Sequence, residues 1–346
     1  MTRTQDATPA MEGGPAKVLA AAATGTVDLF RKYGGDVDRI FGRAGLRTDD
    51  LASPLDELNL QQYCNLFEEA AQATGNSNIG LEFGQNFAPK QLGMLGFAAI
   101  SSPTLAAALR NLEKYFPAHQ GQTSFGLIQD CDILWLSYRI FDPRISNRRQ
   151  DAELSLGMFC NIFKAAHGPN WAPLEIRFEH NKPDGHDEHE MRFGAPVQFG
   201  RRTNAIAFRR RDLDALMPDQ DPYLASVVEP FLQGRCDSQA DPQDFAQAVR
   251  NEVKLQLGER LPTIAEISQL FGVTEPAFQK RLRAHGLIFN DILKAARHEL
   301  ALHYIADMDL PLTEIAYCLG YSELSAFSRA FRNWTGMSPQ RYRRQS

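Results

Sequence analysis

Long apolar runs are missing from this 346-residue chain, and so are paired cysteines. No stretch approaches the roughly 18 consecutive apolar residues of a transmembrane helix, so a membrane-spanning role has no carrier. Val18–Ala23 is the only short apolar run near the start; behind a leader of polar and small residues it reads as an Ala-rich helix start, not a secretory signal. The five cysteines (Cys64, Cys131, Cys160, Cys236 and Cys318) are odd in number, scattered and never in C-x-x-C spacing. That pattern argues against a disulfide framework or zinc ribbon and reads as reduced thiols in a cytoplasmic protein. Nucleophile elbow, phosphate-binding loop and dinucleotide fingerprint are all missing, so an enzyme would lack a recognisable site and no cofactor is implied.

Excess positive charge is lacking too. The chain holds 37 Lys and Arg against 42 Asp and Glu, a formal net charge of −5. Residues 241–346 hold 13 basic and 12 acidic residues, with the basic ones gathered at Lys280–Arg281–Arg283, Arg329–Arg332 and Arg341–Arg343–Arg344. If this part binds a polyanion, affinity must come from where the charges sit rather than from bulk charge.

What is present divides in two. Gly234–Gln243 has no large apolar residue and is rich in turn formers, which marks 235–243 as a linker between residues 1–234 and 244–346. Before it the signals are mixed. Residues 16–47, 58–74, 104–116 and 150–166 carry helical periodicity, whereas Thr123–Gln129, Ile133–Phe141, 174–180 and 204–208 read as strands. The N-terminal domain is therefore expected to be α+β, followed by an all-α domain. After Asp244, Phe245, Val249, Val253 and Leu257 share one helical face, and Thr263-x-x-Glu266 is a capping-box pattern opening the next helix.

An internal repeat follows. Glu266–Glu275 matches Glu314–Glu323 at an offset of 48; Phe278-x-x-x-Leu282 matches Phe327-x-x-x-Phe331 at 49; Gly286 matches Gly336 at 50. Each copy has the parts of a helix-turn-helix: an amphipathic helix, a glycine suited to the left-handed turn (Gly272, Gly320), a hydroxyl residue to cap a second helix (Thr274, Ser322), and a carboxylate in its first turn (Glu275, Glu323). If Phe278 and Leu282, or Phe327 and Phe331, face inward, then Pro276, Gln279, Lys280 and Arg283, or Leu324, Ser325, Ser328, Arg329 and Arg332, face outward. Such hydrogen-bonding and basic faces, near 275–285 and 323–333, suit a helix that reads base edges in a major groove and holds phosphates. Arg343 and Arg344, beyond the last cap, are expected to meet phosphate or solvent. Phe289–Ala306 reads as one helix of about 27 Å joining the copies, with Phe289, Ile292, Leu293, Ala296, Leu300 and Tyr304 in a stripe.

The run Ile315–Arg343, with its helix and turn I-A-x-x-x-G-Y, then F-S-R-x-F, G-x-S-P and a closing Tyr-Arg, resembles the signature of the AraC/XylS family of transcription regulators. Gly93–Ala99 leading through Ser102–Leu105 to Tyr115, with Phe193–Gly200 and the Asn204–Phe208 strand, is similar to the arabinose-binding-like sensor domain of one subgroup, which includes regulators of ornithine and amine catabolism. The resemblance implies a homodimeric regulator, expected to be an activator, that binds promoter DNA, a small effector such as an amine or amino acid, and RNA polymerase. A repressor, an effector-independent regulator, or a metabolite-binding enzyme with a helical appendage are the alternatives. The resemblance also implies an effector pocket, for which Phe97, Tyr115, Trp135, Tyr138 and Phe163 are the candidate lining, with Phe116 beside them. His186-Asp-Glu-His189-Glu190 is expected to be a solvated loop rather than a metal site, and Asp151 and Glu153 to serve the positive end of their helix.

Overall fold

The computed structural model describes residues 15–344 except 131, 141, 143, 146, 202, 240–241, 258–260, 271–274 and 306–310. The chain forms two compact units divided between Gln239 and Ala240.

In the first unit, β1 (Lys17–Leu19) pairs antiparallel with β2 (Glu57–Asn59), and between them lie α1 (Thr26–Lys32) and α2 (Val37–Ala44). The apolar run at 18–23 is thus a strand followed by a short 3-10 turn, not a helix start. Its partner strand is 40 residues away, beyond the reach of local periodicity. Next come α3 (Leu60–Thr74), α4 (Ile79–Asn86), α5 (Met94–Ile100) and α6 (Leu105–His119). The hairpin β3 (Thr123–Asp130) and β4 (Ile133–Ile140) leads into α7 (Arg149–His167), then β5 (Glu175–Arg177), α8 (Asp187–Phe193), β6 (Val197–Gln198), β7 (Asn204–Arg209) and α9 (Pro222–Gln239). The five-stranded sheet runs β3-β4-β7-β5-β6, antiparallel except for the β5-β6 pair. Expected strands and helices of the second half of this unit match closely, and the unit is α+β.

Helix α7 is the centre of this unit. Every residue from Gln150 to Cys160 is buried, because the helix packs on α4 and α3 on one side and on β4 and β7 on the other. The α4 crossing is set by glycine: a Cβ on Gly80 or Gly84 would run into the α7 backbone at Gln150 and Leu154, and one on Gly157 would lie 2.7 Å from the Gly84 carbonyl carbon. The two backbones therefore meet without side chains between them.

Asp151 stands in the first turn of α7 as expected, but this position gives it, Glu153 and the histidines buried partners that a helix end or a solvated loop would not. Glu153 is 0% exposed and accepts from Arg149 Nε at 2.8 Å, with His189 Nε2 also 2.8 Å away. His189 is fully buried on α8 beside Phe178 and Phe199, so the 186–190 stretch is helix from Asp187 on and not a solvated loop. Alternating acids and histidines look solvated in one dimension; a buried carboxylate 36 residues upstream holds one of them inside.

Asp151 is buried and accepts from Tyr138 Oη at 2.8 Å; burial pushes its carboxyl up to about 7, while the Tyr138 hydrogen bond and Arg148 oppose the rise. Because the folded-state value exceeds the ordinary 3.8, folding takes up a proton between these limits. The contribution is thus most favourable at low pH, declines as pH rises through about 7, and is a constant penalty above that. Asp151→Asn keeps the acceptor for Tyr138 and removes the penalty. Urea titrations at pH 5 and pH 8 should show the variant gaining on wild type by a few kcal/mol more at pH 8. An equal difference at both pH values would refute the assignment.

In the second unit all described elements are helices: α10 (Pro242–Leu257), α11 (Ile264–Leu270), α12 (Glu275–Ala284), α13 (Phe289–Ile305), α14 (Leu312–Cys318), α15 (Leu324–Thr335) and α16 (Pro339–Arg343). The expected linker at 235–243 is helical as far as Gln239, and α10 begins at Pro242. Gly234 weakens a helix by about 1 kcal/mol, but buried Val228 and Leu232 and the Arg235–Glu57 ion pair at 3.0 Å anchor α9 on both sides of it.

Candidate nucleic-acid interface

Each half of the second unit has its own core. The first gathers Phe245, Val249, Val253 and Leu257 of α10, Ile267 of α11, Phe278 and Leu282 of α12, and Ile292, Leu293 and Ala296 of α13. The second gathers Ala301 and Ile305 of α13, Ile315 and Ala316 of α14, Leu319, and Phe327 and Phe331 of α15. The α13 stripe serves both, and Leu300 packs against each. A 17-residue helix of about 25 Å is therefore the common beam of two helix-turn-helix modules.

Local chemistry explains the turns. Thr263 and Glu266 form the expected reciprocal capping box: Thr263 N–H donates to Glu266 Oε2 at 2.9 Å and Glu266 N–H to Thr263 Oγ1 at 3.3 Å. In the second module Gly320 takes φ +73°, so Gly320 N–H reaches the Tyr317 carbonyl and Tyr321 N–H the Ala316 carbonyl, closing α14 in a Schellman turn. Gly286 closes α12 by the same pair of bonds, to Arg283 and Leu282. Gly258, Phe271, Gly272, Thr274 and Ala306 lie outside the described residues. Ser322 does not cap α15; Glu323 occupies that position with extended backbone angles, and its carboxylate accepts from Ser325 Oγ at 2.9 Å.

Phe278, Leu282, Phe327 and Phe331 are all buried, as the spacing predicts. On the opposite faces Pro276, Lys280 and Arg283 of α12, and Leu324, Ser325, Arg329 and Arg332 of α15, are exposed, while Gln279 and Ser328 are half-buried. Gln279 donates to Glu275 at 3.1 Å, one turn back. Two basic residues of the sequence clusters are used inside the fold: Arg281 lies 4.1 Å over the Phe245 ring, and Arg343 donates through Nε to the Ile305 carbonyl at 3.2 Å. Arg343 thus caps the end of α13, against the expectation of phosphate or solvent; Arg344 is exposed.

Arg297 was not legible in the sequence. From the middle of α13 it donates to the carbonyls of Leu319 at 2.9 Å and Gly320 at 3.2 Å, and its guanidinium lies 4.6 Å over Tyr321. It fastens the beam to the second module's turn, and only its place on the inner half of α13 hints at this.

The five aromatics expected around an effector are not brought together. Trp135 and Tyr138 are three residues apart on β4 and so point to opposite faces; Trp135 lies under the Arg177 guanidinium at 3.7 Å. Phe163 stacks on Trp171, Tyr115 and Tyr138 are buried, and Phe97 is half-buried against the core. Phe116 stacks on Phe125. Apart from Trp135, these rings are part of or packed against the core of the unit, and none of them lines the two cavities of about 340 and 500 Å³ described in this unit. Among the described residues no helix is long and apolar enough to cross a membrane.

Comparison with known proteins agrees with both units. The family model for the N-terminal arabinose-binding domain of AraC transcription regulators matches residues 34–217, and a helix-turn-helix domain model matches residues 267–345. The ornithine utilization regulator of Pseudomonas aeruginosa is 24% identical over 341 residues, spanning 94% of this chain and 96% of that protein. The HTH-type transcriptional regulator VirS of Mycobacterium tuberculosis is 25% identical over 338 residues, with the same coverage of each chain. The crystal structure of the transcriptional regulator CdpR from Pseudomonas aeruginosa aligns over 92% of this chain and 98% of that one, at 19% identity and a TM-score of 0.44. Since the first family model alone spans more than half of the sequence and the second covers the twin helix-turn-helix modules, the chain belongs to the AraC family of DNA-binding transcription regulators.

Proposed function

We propose that the chain is a cytoplasmic, homodimeric activator of a catabolic operon, in which a small metabolite held by the N-terminal unit changes how the C-terminal unit engages a promoter alongside RNA polymerase. The observation that carries this reading is the shared α13, which fixes α12 and α15 on one rigid support so that both can enter major grooves of the same DNA. Pro276, Gln279, Lys280 and Arg283, with Leu324, Ser325, Ser328, Arg329 and Arg332, are the contact residues in this reading. Similarity to the ornithine utilization regulator supports an amine or amino acid as the effector class. The effector must bind one arrangement of the protein more tightly than the other, or it shifts nothing.

Footprinting of the full protein on promoters next to its gene, with run-off transcription by RNA polymerase, tests the reading. Protection of two half-sites with transcription raised is the expected result; transcription lowered at a protected site would make it a repressor. A fragment covering residues 242–346 should protect the same bases more weakly. Gln279→Ala and Arg329→Ala should each cost roughly 1–3 kcal/mol on the operator and relax specificity there, whereas Arg344→Ala should weaken all sequences alike. Equal losses on operator and random DNA for the first two would show that they do not read bases.

A further inference from the structure

Where the end of α5, the start of α6 and the first turns of α9 meet, the N-terminal unit forms a half-open cavity of about 340 Å³, lined by Ser101, Pro103, Gln220, Pro222, Ala225 and Glu229 among others. Its surface is mostly apolar with a few polar groups, as in small-molecule sites. One of those groups lacks a partner, and a second, part-buried, has an acceptor to spare. Ser101 is 1% exposed, yet its Oγ makes no hydrogen bond. Glu229 Oε1 accepts from Asn111 Nδ2 at 3.1 Å, and Asn111 is itself fixed on Ser102 Oγ at 3.1 Å. No hydrogen bond from a described residue reaches Oε2. The nearby cation, Lys114, acts on Glu229 through its field while its ammonium donates to Tyr115 Oη at 2.8 Å.

The surrounding helix ends do not favour an anion. The N-terminus of α9 is already occupied by Asp221, whose Oδ1 accepts from the amides of Tyr223 and Leu224 at 2.9 and 3.0 Å. Thr104 Oγ1 likewise accepts from Ala107 N–H at the start of α6. The helix ends that would attract an anion are thus capped, and the carbonyls at the end of α5 are taken as well, Ala98 by Ser102 Oγ, Ala99 by Ser102 N–H and Ser101 by Asp221 N–H, so the Glu229 carboxylate is the charge left to select a ligand.

We propose that this cavity binds the ammonium group of a small aliphatic amine, with Glu229 as its counter-ion, Ser101 Oγ as a further acceptor, and the alkyl chain against Pro103, Pro222 and Ala225. This rests on the reading of the N-terminal unit as an effector sensor and names its site. Glu229 belongs to α9, the helix that ends two residues before α10 begins, so an occupied cavity ties α9 to α5 and α6. A ligand there acts on the helix that leads into the DNA-binding unit.

Isothermal titration calorimetry of the full chain at pH 7.5 tests this, with primary amines and α,ω-diamines of two to six carbons as probes and the matching alcohols and carboxylates as controls. Saturable binding of at least one amine, one per chain, is expected, with none for its alcohol or carboxylate. Glu229→Gln should weaken it about tenfold to a hundredfold, the range for a lost charge-assisted hydrogen bond, and Ala225→Leu should block it by filling the space. His186→Ala, in the other cavity, should change nothing. Melting temperatures at the wild-type value show that the variants are folded. The proposal is overturned if no amine saturates, or if folded Glu229→Gln binds the amine as wild type does. A wild-type protein that failed to protect promoter DNA would count against the regulatory reading and leave these titrations standing.

Discussion

Insertion of two residues between Ala296 and Arg297 should abolish simultaneous binding of the two modules to one operator and lower affinity by roughly 10²–10⁴, the scale of avidity lost when one of two linked contacts is disengaged. Residues up to Ala296 belong to the first core, and from Arg297 onward α13 serves the second, through Ala301, Ile305 and the Arg297 clasp on Leu319 and Gly320. Apart from Leu300 and the Lys254–Glu299 ion pair, which span the insertion point, each module keeps its own packing. What changes is direction: two residues rotate everything beyond them by about 200° and advance it by about 3 Å, so α15 points away from the DNA that α12 engages. Leu300 also leaves the first core. A seven-residue insertion, close to two whole turns, restores the direction and displaces the second module by about 10 Å, so it should retain more affinity than the two-residue insertion. DNase footprints of wild type and both variants on one operator decide the matter. Wild-type protection of both half-sites by the two-residue variant would mean that α13 is a tether and not a beam.

The C-terminal unit was almost wholly legible because its information is local and repeated. The α10 stripe of Phe245, Val249, Val253 and Leu257, the Thr263 capping box and the inward Phe278 and Phe327 follow from periodicity and cap chemistry, and all are found buried or bonded as expected. What escaped was what depends on distant partners. Arg297 and Arg343 look like ordinary basic residues until the carbonyls of Leu319, Gly320 and Ile305 are brought to them by the fold. In the N-terminal unit the hairpin and α7 were legible, but 16–47 read as helix because nothing nearby reveals that Lys17–Leu19 pairs with Glu57–Asn59. Helix α4 was missed for a related reason: Gly80 and Gly84 lower its intrinsic propensity, and only the approach of α7 explains them. The aromatic residues expected at the effector site are found apart, because large rings fill cores by default, whereas the cavity beside α9 is lined by serine, proline, alanine, one glutamine and one glutamate, which no periodicity marks.

Gly84→Val should disable the sensor unit while sparing DNA binding by the other. Its Cβ would fall within the van der Waals shell of the Leu154 backbone, and Gly157 already brings the facing helix against the Gly84 main chain. A clash with backbone has no rotamer to relieve it, so α4 must move off α7. Asn161, which donates to the carbonyls of Gly84, Gln85 and Phe87 at 2.9–3.1 Å, then loses its partners. Overpacking alone costs about 1–3 kcal/mol, and breaking this buried hydrogen-bonded contact adds about 1–3 more. The sum approaches the 5–15 kcal/mol that keeps a typical domain folded. Differential scanning calorimetry should show the transition of the N-terminal unit lowered by more than 10 °C or absent at the start of the scan. The second unit has two cores of its own, so the variant should retain the weak operator binding of the 242–346 fragment. A variant that melts as wild type does would show that α4 and α7 can separate at little cost, and the glycine crossing would not be what sets the sensor fold.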